Sequence, residues 1–297
     1  MAVAATGFFD GVHRGHQSVI GTMAGLASQR STEGIVITFW PHPRNVLQQD
    51  ADRLRLLTSI EEKRKLCIAA GADRVEVLPF TRDFSRVTAE GFIREYLVGR
   101  FGVTDLVLGS DHRLGCDCLS STDEMAALVR SCGVEPHIVA DELMPDGRGI
   151  SSTAIRRTIA SGDVRTASSL LGYRYPLTGV VVAGARIGRT IGFPTANMQL
   201  YEPLKLIPDG GVYLVEVDVL GSRHRGICNI GTRPTLSDGR GRTIETHILD
   251  FDEEIYGLDM TIRFVDKIRD ERRFDSLDGL AAQLGADRDF AAGATSF

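Results

Sequence analysis

The chain has 297 residues, 43% hydrophobic and 25% charged, with a formal net charge of −5. This is the make-up of a globular protein with room for two cores, and its acidic balance gives no polyanion-binding surface, so nucleic acid is not expected as a main partner. Five cysteines without paired zinc spacing, no basic-then-apolar leader and no membrane-length apolar run lead us to expect a soluble cytoplasmic protein with reduced thiols and no membrane partner.

In chain order, a short apolar run, Val3–Ala5, reads as a strand, and Gln17–Gln29 as a helix. Between them runs Gly7-Phe8-Phe9-Asp10-Gly11-Val12-His13-Arg14-Gly15-His16. The spacing puts His13 and His16 on one face of the first helical turn, where free N–H groups and the helix dipole favour an anion. Gly15 is expected to let a phosphate approach the backbone without meeting a Cβ. A nucleotide triphosphate is the natural ligand, although an isolated pair of this kind is as often two surface histidines beside a turn.

Strands at Gly34–Phe39, Arg74–Leu78, Asp105–Leu108 and Pro136–Ala140 alternate with helices at Ile60–Ala70, Ala89–Phe101 and Asp123–Cys132. A capping box is read over Thr58-Ser59-Ile60-Glu61, and Gly71 ends that helix. The alternation predicts a mostly parallel sheet covered on both faces, with ligands at the carboxyl ends of its strands. Gly109-Ser110-Asp111-His112-Arg113-Leu114-Gly115 follows the fourth strand, and alone it reads as an ordinary glycine-rich loop. Ser151, Ser152 and Thr153 then open a helix with Arg156 one turn in. Hydroxyls, free N–H groups and a guanidinium can hold a polyphosphate, and with the two histidines they predict an ATP site. A helix at Val164–Leu171 stops at Gly172, where we expect the boundary between domains 1–172 and 173–297.

Beyond it lie strand-like runs at Leu177–Ala183, Val212–Val219, His224–Asn229, Thr243–Leu249 and Met260–Val265. No crossover helices separate them, so a small antiparallel barrel or sandwich is expected, closed by a helix near Leu277–Leu284. The fold class is therefore α/β: a Rossmann-like parallel sheet followed by a small antiparallel β-barrel. Gly184, Gly188 and Gly192 recur every fourth residue. No Walker loop occurs, but a glycine-spaced loop can still wrap phosphates, with Arg186 and Arg189 adding charge. Thr195 and Asn197 offer oxygens suited to Mg²⁺, although Pro-Thr-Ala-Asn alone reads as a turn. Glu245, His247 and Leu249 alternate with Ile244, Thr246 and Ile248.

GFFDGVHRGHQ, TFWPHP, ISSTAIR, GRTIGFPTAN, NIGTRPT and ETHILDF follow one another as in the bifunctional bacterial riboflavin kinase and FAD synthetase family, which this chain resembles along nearly its full length. The resemblance implies a first half that joins AMP from ATP to FMN, giving FAD and pyrophosphate, and a second half that makes FMN from riboflavin with ATP and Mg²⁺. It implies binding roles for Gly7, Phe9, Asp10, Gly15, Asp111, Ser151, Ser152, Thr153 and Arg156 in the first half. In the second it implies binding roles for Gly184, Gly188, Arg189 and Gly192, Mg²⁺ ligation by Thr195 and Asn197, and Glu245 as the catalytic base. Flavin binding is implied around Arg269, Glu271 and Phe274, a segment that reads equally as a solvated charge run. His13 and His16 are expected to stabilise charge rather than remove a proton, because the FMN phosphate is already anionic, its second pKa being about 6.

The chain departs from the family at Trp40, usually acidic, and at His112 and Leu114, usually phenylalanines; these changes are expected to weaken the FMN step but not the ATP site. The competing readings are another adenylyltransferase of the same sheet architecture, a flavin-binding regulator without catalysis, and a riboflavin kinase with a weakened or regulatory adenylyltransferase. Oligomeric state is left open.

Overall fold

The computed structural model describes every residue except 48–53, 111, 118–120, 145, 185–187, 189–191, 233–241 and 295–297. The chain forms two compact units, Met1–Ser152 and Thr153–Phe297.

In the first unit, β1 (Ala2–Thr6), β2 (Glu33–Trp40), β3 (Arg74–Pro79), β4 (Val103–Gly109) and β5 (Glu135–Val139) make one parallel sheet in the order β3-β2-β1-β4-β5. β1 is central and covered on both faces, which explains its uninterrupted apolar run. Ala2 and Ala4 point to one core with Ile35, Ile37, Leu106 and Leu108, while Val3 and Ala5 point to the other with Val36 and Val107. α1 (Arg14–Gln29) lays Val19, Ile20, Met23 and Ala27 on that second core. A short α2 (Pro43–Leu47) follows β2. α3 (Ile60–Ala69) adds Cys67 to the second core. Its capping box is real but lies one residue later than expected: Ser59 accepts from the Glu62 N–H, and the Glu62 carboxylate accepts from the Ser59 N–H. The helix expected over Ala89–Phe101 opens as α4 (Ala89–Gly91) and continues over Phe92–Val98 as a wider coil, the Gly99 N–H bonding the Arg94 carbonyl five residues back. α5 (Thr122–Ser131) completes the first core. After β1 the sheet grows to one side through β2 and β3, then returns to the other through β4 and β5. The reversal between β1 and β4 opens a crevice at their carboxyl ends.

In the second unit, six antiparallel strands close a barrel in the order β10-β7-β6-β11-β8-β9. They are β6 (Pro176–Val182), β7 (Ala196–Leu200), β8 (Gly211–Val219), β9 (Ser222–Thr232), β10 (Arg242–Ile248) and β11 (Asp259–Arg269). Closure decides for barrel over sandwich, and β7 is a strand not expected from the sequence. α6 (Ser152–Ala160) and α7 (Val164–Leu171) precede it. α7 packs on β11, so the compact units divide at 152/153 while the expected boundary stood at Gly172. The last helix, α8 (Leu277–Gly293), runs well past the expected Leu284. It buries Ala291 against Val212, Leu214, Ile227 and Val265.

α8 is fastened by an ion pair. Arg269 Nε donates to both oxygens of Asp287 at 3.1 Å and Nη2 to Oδ2 at 2.7 Å, with Gln283 Nε2 donating to Oδ1 at 2.9 Å. Asp287 is 2% exposed. Removing one member of such a pair leaves a buried, uncompensated charge. Asp287→Ala is therefore expected to lower the stability of the second unit by about 3 kcal/mol in chemical denaturation, while Arg269→Met with Asp287→Leu recovers most of it.

Candidate functional site

The loop joining β1 to α1 is a constrained piece of backbone. Phe9 (φ 46°) and Val12 (φ 35°) both occupy the left-handed region, which a β-branched residue such as valine adopts only under constraint. The constraint is Asp10. Its carboxylate accepts from the Leu57 N–H at 3.1 Å, the Thr58 N–H at 3.0 Å and the Thr58 hydroxyl at 3.1 Å. The Gly11 N–H donates to Thr58 Oγ1 at 3.1 Å, and the Ser152 hydroxyl donates to the Asp10 carbonyl at 2.8 Å. Asp10 was expected to bind ligand; it is 3% exposed, and these bonds turn its carboxylate inward to tie the loop to the residues before α3. Phe9, also expected at the ligand, is a core residue. Its ring lies 3.3 Å from where a Cβ on Gly7 would stand, so Gly7 makes room for it.

The loop delivers His13 to the head of α1 as its N-cap, with Nδ1 accepting from the His16 N–H at 3.4 Å. The two imidazoles stack, centroids 3.6 Å apart and planes within 20°. A Cβ on Gly15 would come within 3.3 Å of the His13 ring. Gly15 therefore makes space for the His13 imidazole. Burial pulls the His13 pKa down to about 4 against the opposing pull of Asp10. Burial also holds His16 well below its usual value, helped by the nearby charges of His13, Lys63 and His112. Both rings are neutral at neutral pH, so each can donate one N–H.

Lys63 was missed by sequence reasoning. It is 3% exposed, and burial lowers its pKa while Asp10 raises it. The legible signal was a lysine in the buried stripe of α3, one turn before Cys67. Leu114 is 5% exposed among Leu108 and Met125, so where the family usually has phenylalanine the leucine fills a core position. Trp40 is half-buried at the end of β2. Asp111 lies outside the described residues. Ser151 is exposed and Ser152 reaches the Asp10 loop; Thr153, exposed, and Arg156, half-buried, continue along α6 in the second unit.

In the barrel, Glu245 on β10 pairs in register with Asn197 on β7 and Asn229 on β9. Ile244, Thr246 and Ile248 are buried while Glu245 and His247 face the other side, as the alternation predicted. A Cβ on Gly184 would lie 2.2 Å from Asn197 Nδ2, so Gly184 is what lets this amide lie against the β6 exit. The Gly188 carbonyl accepts from the Phe193 N–H at 2.8 Å, and a Cβ on Gly188 would meet the Phe193 oxygen at 2.2 Å. Gly192 takes φ +83°. His247 Nδ1 stands 2.8 Å from the Pro194 carbonyl, its ring edge-on to Phe193, and so fixes the segment that leads through Thr195 into β7. Asn229 had not been singled out. Arg186 and Arg189 lie outside the described residues.

Among the described residues no three of His, Cys, Asp and Glu gather as a metal cage. The side-chain oxygens of Thr195 and Asn197 fit Mg²⁺, which keeps several waters and takes further ligands from substrate phosphates. Arg269 was expected at the flavin. Instead its Nε and Nη2 bond Asp287 and its Nη1 donates to the Asp270 carbonyl, so the side chain fastens α8.

A family model for FAD synthetase matches residues 1–154 and one for riboflavin kinase matches residues 171–294. The bifunctional riboflavin kinase/FMN adenylyltransferase of Listeria monocytogenes is 39% identical over 285 residues, covering 96% of this chain and 90% of the relative. That of Escherichia coli K12 is 37% identical over 289 residues, covering 96% and 90%. A solved structure described as a macrolide-efflux protein from Streptococcus pneumoniae superposes with a TM-score of 0.91 at 31% identity, covering 99% of this chain and 95% of that one. No helix among the described residues here is long and apolar enough to cross a membrane. Matched in both halves, in order and over nearly its whole length, the chain belongs to the family of bifunctional riboflavin kinase/FMN adenylyltransferases.

Proposed function

We propose that the first unit transfers AMP from ATP to FMN, giving FAD and pyrophosphate, and that the second phosphorylates riboflavin to FMN with ATP and Mg²⁺. One observation carries the reading: each compact unit has its own constellation suited to phosphate. The first has the stacked His13–His16 pair at a helix head, and the second has the Asn197–Glu245 register pair with Gly184 packed against Asn197. Free thiols at Cys67, Cys116, Cys132 and Cys228 support a cytoplasmic location.

In adenylyl transfer the attacking FMN phosphate is already ionised, so no base is needed. What must be met is charge developing on the α-phosphate and on departing pyrophosphate. His13 and His16, held neutral by burial, meet it as fixed N–H donors beside the free N–H groups of α1. Their stack and the Asp10 tie fix donor directions before substrate arrives, which is the condition for electrostatic stabilisation without reorganisation.

In the kinase step the nucleophile is a hydroxyl, and a base is needed. Glu245 accepts its proton, a contribution of roughly 10²–10⁴ in rate. Thr195 and Asn197 would hold Mg²⁺, which would supply neutralisation of the transferring phosphoryl oxygens. His247, bonded to Pro194, keeps the Thr195–Asn197 segment beside Glu245.

Glu245→Gln is expected to lower FMN formation from riboflavin at least a hundredfold while FAD formation from supplied FMN persists, and His16→Leu to do the reverse; chromatographic separation of FMN and FAD reads both. Loss of both activities in either variant would refute the two-centre reading. The neutral imidazoles also set a pH dependence. His13 titrates near 4 in the fold and near 6.5 unfolded, so its contribution is full above pH 6.5 and is lost as the pH falls from there towards 4. Urea denaturation of the first unit should show a loss of about 3 kcal/mol from this residue across that window.

A further inference from the structure

Four buried side-chain polar atoms of the first unit have no hydrogen-bond partner among the described residues: Thr6 Oγ1, His16 Nδ1, Asn45 Oδ1 and His112 Nε2. Asn45 lies in α2, whereas the other three residues stand at the carboxyl ends of the neighbouring strands β1 and β4. Thr6 ends β1, His16 stands in the first turn after it, and His112 lies three residues beyond the end of β4. The two strands are hydrogen-bonded neighbours.

The His112 ring is positioned without help from its own nitrogens. The His112 N–H donates to the Gly109 carbonyl at 3.1 Å, and two residues later Leu114 is locked in the core. Upstream, the Thr122 hydroxyl donates to the Ser110 carbonyl at 2.8 Å and the Ser110 hydroxyl to Asp141. The ring is near enough to His16 for its charge to disfavour charging of that imidazole. A buried nitrogen with nothing to bond costs stability. A set consisting of one hydroxyl and two imidazole nitrogens, each able to donate, suits an oxyanion.

We propose that His112 is a third imidazole of the adenylyl-transfer site, donating from Nε2 to a phosphate oxygen of the bound nucleotide. The assignment rests on the reading of the first unit given above. It extends the donor set from the β1 side of the crevice to the β4 side, so that the phosphate chain is held from both strands.

The test uses the full-length protein and pyrophosphate alone, with the imidazole resonances followed by NMR and His112→Gln identifying the signal among seven histidines. The His112 signal should move saturably as pyrophosphate binds. His112→Leu should weaken pyrophosphate binding, and raise the KM for ATP in FAD formation, roughly tenfold, the size of one lost hydrogen bond. His112→Gln keeps a donor and should recover most of this, with riboflavin phosphorylation unchanged in both variants. A His112 signal that stays fixed, a His112→Leu protein that binds pyrophosphate like the wild type, or a His112→Gln loss as large as that of His112→Leu overturns the assignment. Failure of the wild type to make FAD would instead refute the first-unit reading, because pyrophosphate binding is measured without turnover.

Discussion

The Asp10 carboxylate, held by the Leu57 and Thr58 N–H groups and the Thr58 hydroxyl, is the interaction on which the first site depends. The loop it ties has two non-glycine residues with positive φ, each costing on the order of 1–3 kcal/mol. Hydrogen bonds to a charged group contribute about 1.5–3 kcal/mol each, so three of them offset that strain. The consequence is geometric. Without the tie Val12 would relax towards ordinary backbone, His13 would leave the N-cap position, and the stack with His16 would lose its first member. On the reading proposed for the first unit, Asp10 would act on phosphate chemistry from inside the protein, through the imidazoles it positions.

The two units handle phosphate by different physical means. In the first, donors sit at the head of a helix and across the reversal point of a parallel sheet, where strand ends leave a crevice without any special loop. In the second, a closed barrel has no such edge, and the proposed site is made by neighbouring strands whose register aligns Asn197 with Glu245. Glycines 184 and 188 then let an amide and a carbonyl come nearer than any Cβ would allow. The difference matches the chemistry proposed for each. Adenylyl transfer to an ionised nucleophile needs preorganised donors; phosphorylation of a hydroxyl needs a carboxylate and an oxygen-liganded cation.

Much of this was legible in the sequence. Every strand of the parallel sheet was, because each is a short apolar-rich run between helical patterns, and so was the alternation that separates Glu245 from Ile244 and Thr246. What escaped has a common cause: the deciding partner is distant in sequence. Asp10 read as a ligand residue because its partners, 47 and 48 positions away, leave no local trace. The Arg269 segment read as flavin-binding or as a surface charge run, and its ion pair was not foreseen because Asp287 is 18 residues further on, in a helix expected to end before it. β7 read as a turn because only pairing with β6 and β10 makes Ala196–Leu200 a strand. Lys63 was hidden because a lysine in a helix ordinarily signals the solvent face.

His112 and Leu114 show how two substitutions in one motif can act on different levels. Both stand where the family usually has an aromatic ring, and both were expected to weaken flavin placement. Leu114 faces the core below β4, where one apolar side chain replaces another and the cost is one of packing. His112 follows the end of β4, and its Nε2 has no partner among the described residues. An apolar ring there could offer only a surface; an imidazole brings a donor that must be satisfied. The same short loop therefore keeps its fold through Leu114 and presents a polar group through His112, and that separation lets the chemistry at the mouth of β4 change without disturbing the sheet beneath it.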